Sequence, residues 1–234
     1  MLSVKTASDL RIPFVWEERR PVLLERFLYV PDHYDRHDAW VVVPWCDQAV
    51  FGNNRPVVVE FCSGNGQWIC ERAKQNPHIN WVAVDIRFDR CRKTWLRMHR
   101  ESLSNVYIMC GDANLLIRYY IQKRSLTEIF VNFPDPWPKL RHAKHRLVQA
   151  PFLAQMAEAS IPGSLATFVT DDEAYAAQMV RELLACPVWR PRLPPPHYVL
   201  DWTDYGSSYF SDLWMKKGRK IHFIPLSYEK GLIK

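Results

Sequence analysis

The sequence predicts an α/β fold, a doubly wound and mostly parallel sheet with helices on both faces, and three observations lead there. From Pro56 onward, short β-branched apolar runs alternate with segments of helical period. The first of them, 57–61, is apolar apart from its acid, as strands covered on both faces are. The runs also deliver acids and turn residues at their carboxyl ends, where sheets of this kind bind ligands.

The elements follow in order. Residues 57–61, Val-Val-Val-Glu-Phe, read as a first core strand, and Ser63-Gly64-Asn65-Gly66 as the turn into a helix that stops near Asn76-Pro77. Residues 79–85 make the second strand, ending on Asp85, and its helix sets Phe88, Cys91, Trp95 and Met98 on one face against arginines on the other. A third strand over 105–110 leads to Gly111-Asp112 and a helix over 114–124. The fourth, 126–133, opens into a proline-rich loop, followed by a helix over 151–160 that tolerates Pro151 in its first turn. A fifth strand over 163–170 ends at Asp171-Asp172, and a helix spans 174–186. Residues 187–196 hold five prolines and read as an extended connector, and 219–226 as a closing strand. Residues 1–50 read as an N-terminal arm on or near the core, and 51–234 as one domain. The arm either touches RNA through Arg11, Arg19 and Arg20 or wraps the core with apolar residues of 22–24 and 27–30.

Composition narrows the function. At 48% hydrophobic and 24% charged, the chain is a globular one with a sizeable core rather than a disordered one. The net charge of +6 leans towards an anionic partner. The positives cluster in three patches, 87–100, 139–146 and 216–220, which suits a large polyanion better than a small anion. The six cysteines form no Cys-x-x-Cys pair and no zinc spacing, so neither disulfides nor a metal is expected. With no leader-like N-terminus and no apolar run of about 18 residues, the expected compartment is the cytoplasm and no membrane partner is expected.

Residues 131–146 concentrate the chemistry. Asp135 stands between Pro134 and Pro136, which stiffen the chain on both sides, and Lys139, Arg141, Lys144 and Arg146 follow with His142 and His145 between them. A rigid carboxylate followed by a cationic strip suits a polyanion whose base is held by its edge. The stretch Phe133-Pro-Asp-Pro-Trp-Pro-Lys139, with Arg141-His142, Lys144 and Arg146, closely resembles the signature of bacterial tRNA (guanine-N7-)-methyltransferases. That resemblance covers about residues 50–224. It implies a seven-stranded Rossmann-like sheet, S-adenosyl-L-methionine as cofactor, and tRNA as partner, methylated at N7 of a variable-loop guanine. A monomer or homodimer is expected.

The cofactor residues follow partly from chemistry and partly from the resemblance. Glu60-Phe-Cys-Ser-Gly64-Asn-Gly66 is similar to the Glu-x-Gly-x-Gly-x-Gly turn of class I methyltransferases, with Cys62 in place of the first glycine. Gly64 and Gly66 permit positive φ and close approach of backbone to ligand. Asp85, 25 residues after Glu60, is spaced to bind ribose hydroxyls. Glu60 attracts a cationic sulfonium–amino acid and repels a pyrophosphate, and Asp112 is placed to accept from an adenine amino group. The resemblance assigns Asp135 to catalysis and to the donor site. It also assigns Lys139, Arg141, Asp171, Ser208 and Phe210 to substrate. Ser208-Tyr-Phe-Ser211 matches a Thr-x-(Phe/Tyr)-Glu stretch in part, because Ser211 lacks the carboxylate. Lys139, Arg141, Lys144 and Arg146 are expected on phosphates, and Phe133 or Trp137 against the extruded base.

Three rivals stay open on sequence alone. An amino-methyltransferase on adenine or cytosine is suggested by similarity of the loop to an Asn-Pro-Pro-aromatic one, and opposed by the inserted Phe133 and charged Asp135. A silent tRNA-binding homologue would account for Cys62 and Ser211. A dehydrogenase is opposed by Glu60 and the basic strip.

Overall fold

The computed structural model describes residues 10, 20–206 and 209–229, and contacts divide the chain into two compact units, residues 1–122 and 123–234. In the first, Val22–Leu24 (β1) and Phe27–Tyr29 (β2) form a hairpin whose turn includes Arg26 at φ 51. Val57–Phe61 (β3) is buried at all five residues, and Gln67–Gln75 (α1) follows it. Then come Asn80–Asp85 (β4), Phe88–Arg100 (α2), Val106–Cys110 (β5) and Ala113–Tyr119 (α3).

The sheet order in this unit is β1-β2-β5-β4-β3, parallel throughout except for the hairpin. Register places Glu60 opposite Ala83, and Asp85 opposite Cys110, so the strands deliver their acids at one edge. α2 buries Cys91, Thr94, Trp95 and Met98, the i, i+3, i+4, i+7 stripe of an amphipathic helix. Asn105 is an internal tie, its amide nitrogen donating to Ala73, Asn76 and Ile79 carbonyls at 3.0, 3.2 and 2.8 Å. Those carbonyls end α1 and enter β4, and the amide satisfies them in the interior. α3 stops earlier than expected: Ile121 N–H reaches back to Leu116 O, and Arg124 at φ 49 turns the chain away.

The second unit holds Leu126–Asn132 (β6), a 3-10 helix over Leu140–His145, Ala150–Ala159 (α4), Ser160–Thr170 (β7), Glu173–Ala185 (α5), Trp189–Pro191 (β8), Tyr209–Lys216 (α6) and His222–Tyr228 (β9). β6 and β7 are parallel, β9 runs antiparallel to both β7 and β8, and the order is β6-β7-β9-β8.

The class is α/β, with most of the strand pairs around the core parallel. The number of strands differs: nine are described against the seven expected. Six of the nine are the strands placed in the sequence by range; the other three, β1, β2 and β8, have three residues each, too short to show a period. β8 also lies inside the expected proline connector, where Arg192 N–H donates to Pro225 O. The closing strand starts at His222 rather than at 219, because Gly218 at φ 73 terminates α6 and Arg219 N–H caps Trp214 O. Among the described residues, no helix is long and apolar enough to cross a membrane, and no group of three or more His, Cys, Asp or Glu is arranged to hold a metal.

Candidate active site

At the carboxyl edge of the first unit the chain leaves β3 through a tight turn. Cys62, Gly64 and Gly66 all lie in the left-handed region, at φ 62, 57 and 71. Cys62 occupies a conformation that costs a side-chain-bearing residue about 1–2 kcal/mol, which is the physical meaning of a glycine at the matching position of the family motif. Its thiol is pushed up by burial first, then by the charges of Asp85 and Glu60.

The structure joins two of the expected cofactor residues directly. Asp85 Oδ2 accepts from Gly64 N–H at 2.8 Å and Oδ1 from Arg87 N–H at 2.9 Å. Burial raises the Asp85 carboxyl above its ordinary value, opposed by those two N–H groups and by the Arg90 charge. Glu60 is 2% exposed at the end of β3. Asp112 has a further task beside the expected one: its Oδ1 caps α3, accepting from Asn114 and Leu115 N–H at 3.0 and 3.1 Å. Sequence reasoning missed Thr94, which lies so close to Gly66 that a Cβ there would sit 2.5 Å from its Oγ1. A β-branched residue at an inward α2 position was the available signal.

In the second unit the chain leaves β6 through a loop whose aromatic residues are strained. Phe133 and Trp137 have φ 49 and 42, a region rare for bulky residues and concentrated at functional sites. Phe133 N–H donates to Val169 O at 2.8 Å, anchoring the loop to β7. Asp135 is exposed, and its Oδ1 accepts from Trp137 N–H at 3.1 Å, closing an Asx turn. Trp137 packs against His145 and His142, with ring centroids 5.3 and 5.7 Å away.

Lys139, Arg141 and Lys144 are exposed on or beside the 3-10 helix. Arg146 is placed otherwise. It is 8% exposed, with Nε donating to Pro136 O at 2.7 Å, Nη2 to Trp137 O at 3.5 Å and Nη1 to Gln178 Oε1. Its guanidinium also sits 5.0 Å from the Tyr175 ring centre. The reason is tertiary: α5 brings Tyr175 and Gln178 beneath the loop.

Asp171, at the end of β7, pairs with Arg219, whose guanidinium lies 4.2 Å from the Trp214 ring centre. Asp171 and Arg219 line a cavity of 520 Å³ together with Tyr198 and His222, neither of which the sequence singled out. Ser208 lies outside the described residues. Phe210 is in the first turn of α6, and Ser211 is buried in that helix. Because the segment is a regular helix, Asp212 projects about 100° away from Ser211, and so does not stand in for the missing carboxylate.

Residues 54–222 match a family model described as a putative methyltransferase. Among solved structures, the antibiotic-resistance methyltransferase Kmr aligns with a TM-score of 0.54 at 19% identity, over 83% of this chain and 97% of that one. The 16S rRNA methyltransferase KamB gives a TM-score of 0.54 at 16% identity, over 76% and 90%. At such identity the likeness shows the fold alone. Fold and matched model together define the class as an α/β methyltransferase. The tRNA (guanine-N(7)-)-methyltransferase of Chlamydia caviae is 39% identical over 96% of this chain and 99% of its own length. That of Chlamydia trachomatis is 41% identical over 92% and 94%, and that of Syntrophotalea carbinolica 36% over 75% and 75%. The chain belongs to the tRNA (guanine-N7-)-methyltransferase family.

Proposed function

We infer that this chain transfers a methyl group from S-adenosyl-L-methionine to N7 of a guanine in tRNA, in the variable loop, and that it does so in the cytoplasm. The observation that carries this reading is Asp135, an exposed carboxylate pinned by Trp137 N–H in a strained loop and followed by exposed Lys139, Arg141 and Lys144.

The donor set of the first unit fits the cofactor chemically. Glu60, Asp85 and Asp112 are carboxylates at strand ends, suited to a cationic sulfonium, an ammonium and ribose hydroxyls, and unsuited to a pyrophosphate. Glu60 would attract the cationic end, Asp85 the ribose and Asp112 the adenine, with Gly64 and Gly66 keeping the turn free of side chains. When bound, the cofactor supplies an electrophilic methyl group.

Guanine N7 carries a free lone pair at neutral pH, so no general base is needed to expose it. The reaction creates positive charge on the purine, and Asp135 stabilises that charge as it develops while accepting hydrogen bonds from the base edge. Holding the base in line supplies much of the remaining acceleration. Lys139 and Arg141 bind backbone phosphates. Asp171, Ser208 and Phe210 complete the contacts to the base. Residues 1–50 act as an arm of the domain, and the chain works as a monomer or homodimer.

The test is incubation with labelled S-adenosyl-L-methionine and bulk tRNA, then nucleoside analysis. 7-Methylguanosine is the expected product. Methylated adenine or cytosine, or RNA binding with no transfer, overturns the reading.

A further inference from the structure

We propose that Arg146 is a positioning residue for methyl transfer, which locks the Asp135 loop onto α5 from the inside and contacts no tRNA phosphate. The inference rests on the function proposed above and concerns a residue whose place in the basic strip suggests a different role.

Exposure separates it from its neighbours. Lys139, Arg141 and Lys144 face solvent, whereas Arg146 is 8% exposed. A buried guanidinium is costly unless its donors are matched. Here they are matched by neutral groups: the Pro136 and Trp137 carbonyls, the Gln178 amide oxygen and the Tyr175 ring face. A guanidinium committed this way has little left to offer a phosphate.

Its acceptors define the task. Pro136 and Trp137 follow Asp135 directly, and Trp137 N–H is the group that holds Asp135 Oδ1. Arg146 therefore grips the carbonyl sides of the same short turn whose N–H side fixes the carboxylate. It also holds Trp137 at φ 42, a conformation that persists only when surrounding contacts over-determine it.

On the other side, Tyr175 and Gln178 lie three residues apart on one face of α5. Tyr175 N–H is capped by Asp172 Oδ1 at 2.7 Å, and Tyr175 Oη accepts from Val148 N–H at 3.0 Å. Since Asp172 follows Asp171, the arginine couples the Asp135 turn to the start of the helix that leaves Asp171. Lysine cannot replace it, because one ammonium on a flexible stem does not span two carbonyls and an amide in a fixed fork.

The two roles predict opposite kinetics. Loss of a phosphate ligand weakens tRNA binding and lowers the slope of log affinity against log salt by about 0.9 per contact. Loss of a clamp leaves the slope alone and lowers turnover, since a misplacement of about 1 Å can cost about 100-fold. The experiment uses the full chain as wild type, Arg146→Lys, Gln178→Ala and, as the phosphate-type comparator, Lys139→Ala. It measures tRNA affinity over a salt series, and kcat and KM with both substrates saturating in turn.

Arg146→Lys is expected to lose about 100-fold in kcat with the wild-type salt slope. Gln178→Ala, which keeps the arginine and so spares the fold, is expected to lose kcat in the same sense by a smaller factor. Lys139→Ala is expected to lower the slope by about 1. Unchanged kcat in Arg146→Lys overturns the inference, because a lysine still serves a phosphate but not the fork of acceptors that holds the loop. If that variant fails to fold, Gln178→Ala decides, and unchanged turnover there overturns it equally. A wild-type chain that leaves guanine N7 unmethylated overturns the functional reading itself, an outcome distinct from an active wild type whose Arg146 variants behave as phosphate ligands.

Discussion

Gly66→Ala probes the cofactor turn at the point where the structure leaves least room. Gly66 precedes α1 at φ 71, ψ 16, and an added Cβ would lie 2.5 Å from both Cγ2 and Oγ1 of Thr94 and 2.7 Å from its Cβ. Thr94 cannot turn aside easily: it is fully buried, and its Oγ1 donates towards Arg90 O at 3.3 Å and Gly64 O at 3.5 Å. Left-handed strain contributes about 1–2 kcal/mol and overpacking about 1–3 kcal/mol. A stiffer unfolded chain offsets about 0.4–1 kcal/mol. The expected loss is therefore about 2–4 kcal/mol, a large share of a total stability of about 5–15 kcal/mol. Thr94→Ala removes Cγ2 and Oγ1, so in that background the loss should shrink by about 1–2 kcal/mol, the coupling expected of touching residues. Urea unfolding of wild type, both single variants and the double variant measures this, with calorimetric binding of S-adenosyl-L-methionine as a second reading. A Gly66→Ala protein within about 0.5 kcal/mol of wild type, or additive variants, would refute the reasoning.

Asp135→Ala is expected to abolish methyl transfer while tRNA affinity, read by filter binding, stays near wild type, because the charge it stabilises arises only during reaction; equal rates would sink the assignment. Cys62→Gly should unfold at higher urea than Cys62→Ala, by about 1 kcal/mol, since both lose the thiol but only glycine is at ease at this φ; coincident midpoints would show that the turn stores no strain. The third concerns pH. Burial holds the Asp85 carboxyl above its ordinary 3.8, so between that value and its raised pKa the folded chain keeps a proton that the unfolded chain has released. Asp85's contribution to stability is thus complete below 3.8 and is lost as pH rises through the raised pKa. Cofactor binding runs the other way, because the ribose hydroxyls donate to the ionised form. Affinity for S-adenosyl-L-methionine should fall on acidification before an ordinary aspartate would protonate, and calorimetry showing no change down to pH about 4 would count against it.

The positions of the core strands and the chemistry at their ends are legible in the order of residues alone. β3, β4 and β5 are apolar runs save for Glu60, Asn80 and Asp85, legible because a strand buried on both faces admits little else. The proline-clamped Asp135 and the acids Glu60, Asp85 and Asp112 were visible for the same local reason, as was the odd Cys62 in a glycine position. Which side chains meet across the fold is a matter of packing, beyond the reach of local pattern. Arg146 reads like its cationic neighbours until α5 places Gln178, 32 residues later, against it. Asp171 reads as a substrate-binding acid at a strand end, and its pairing with Arg219, 48 residues on, is visible only in the fold. Local pattern records which face of an element is buried. Partners that far apart are set by the register and packing of the elements between them, and no nearby residue carries that information.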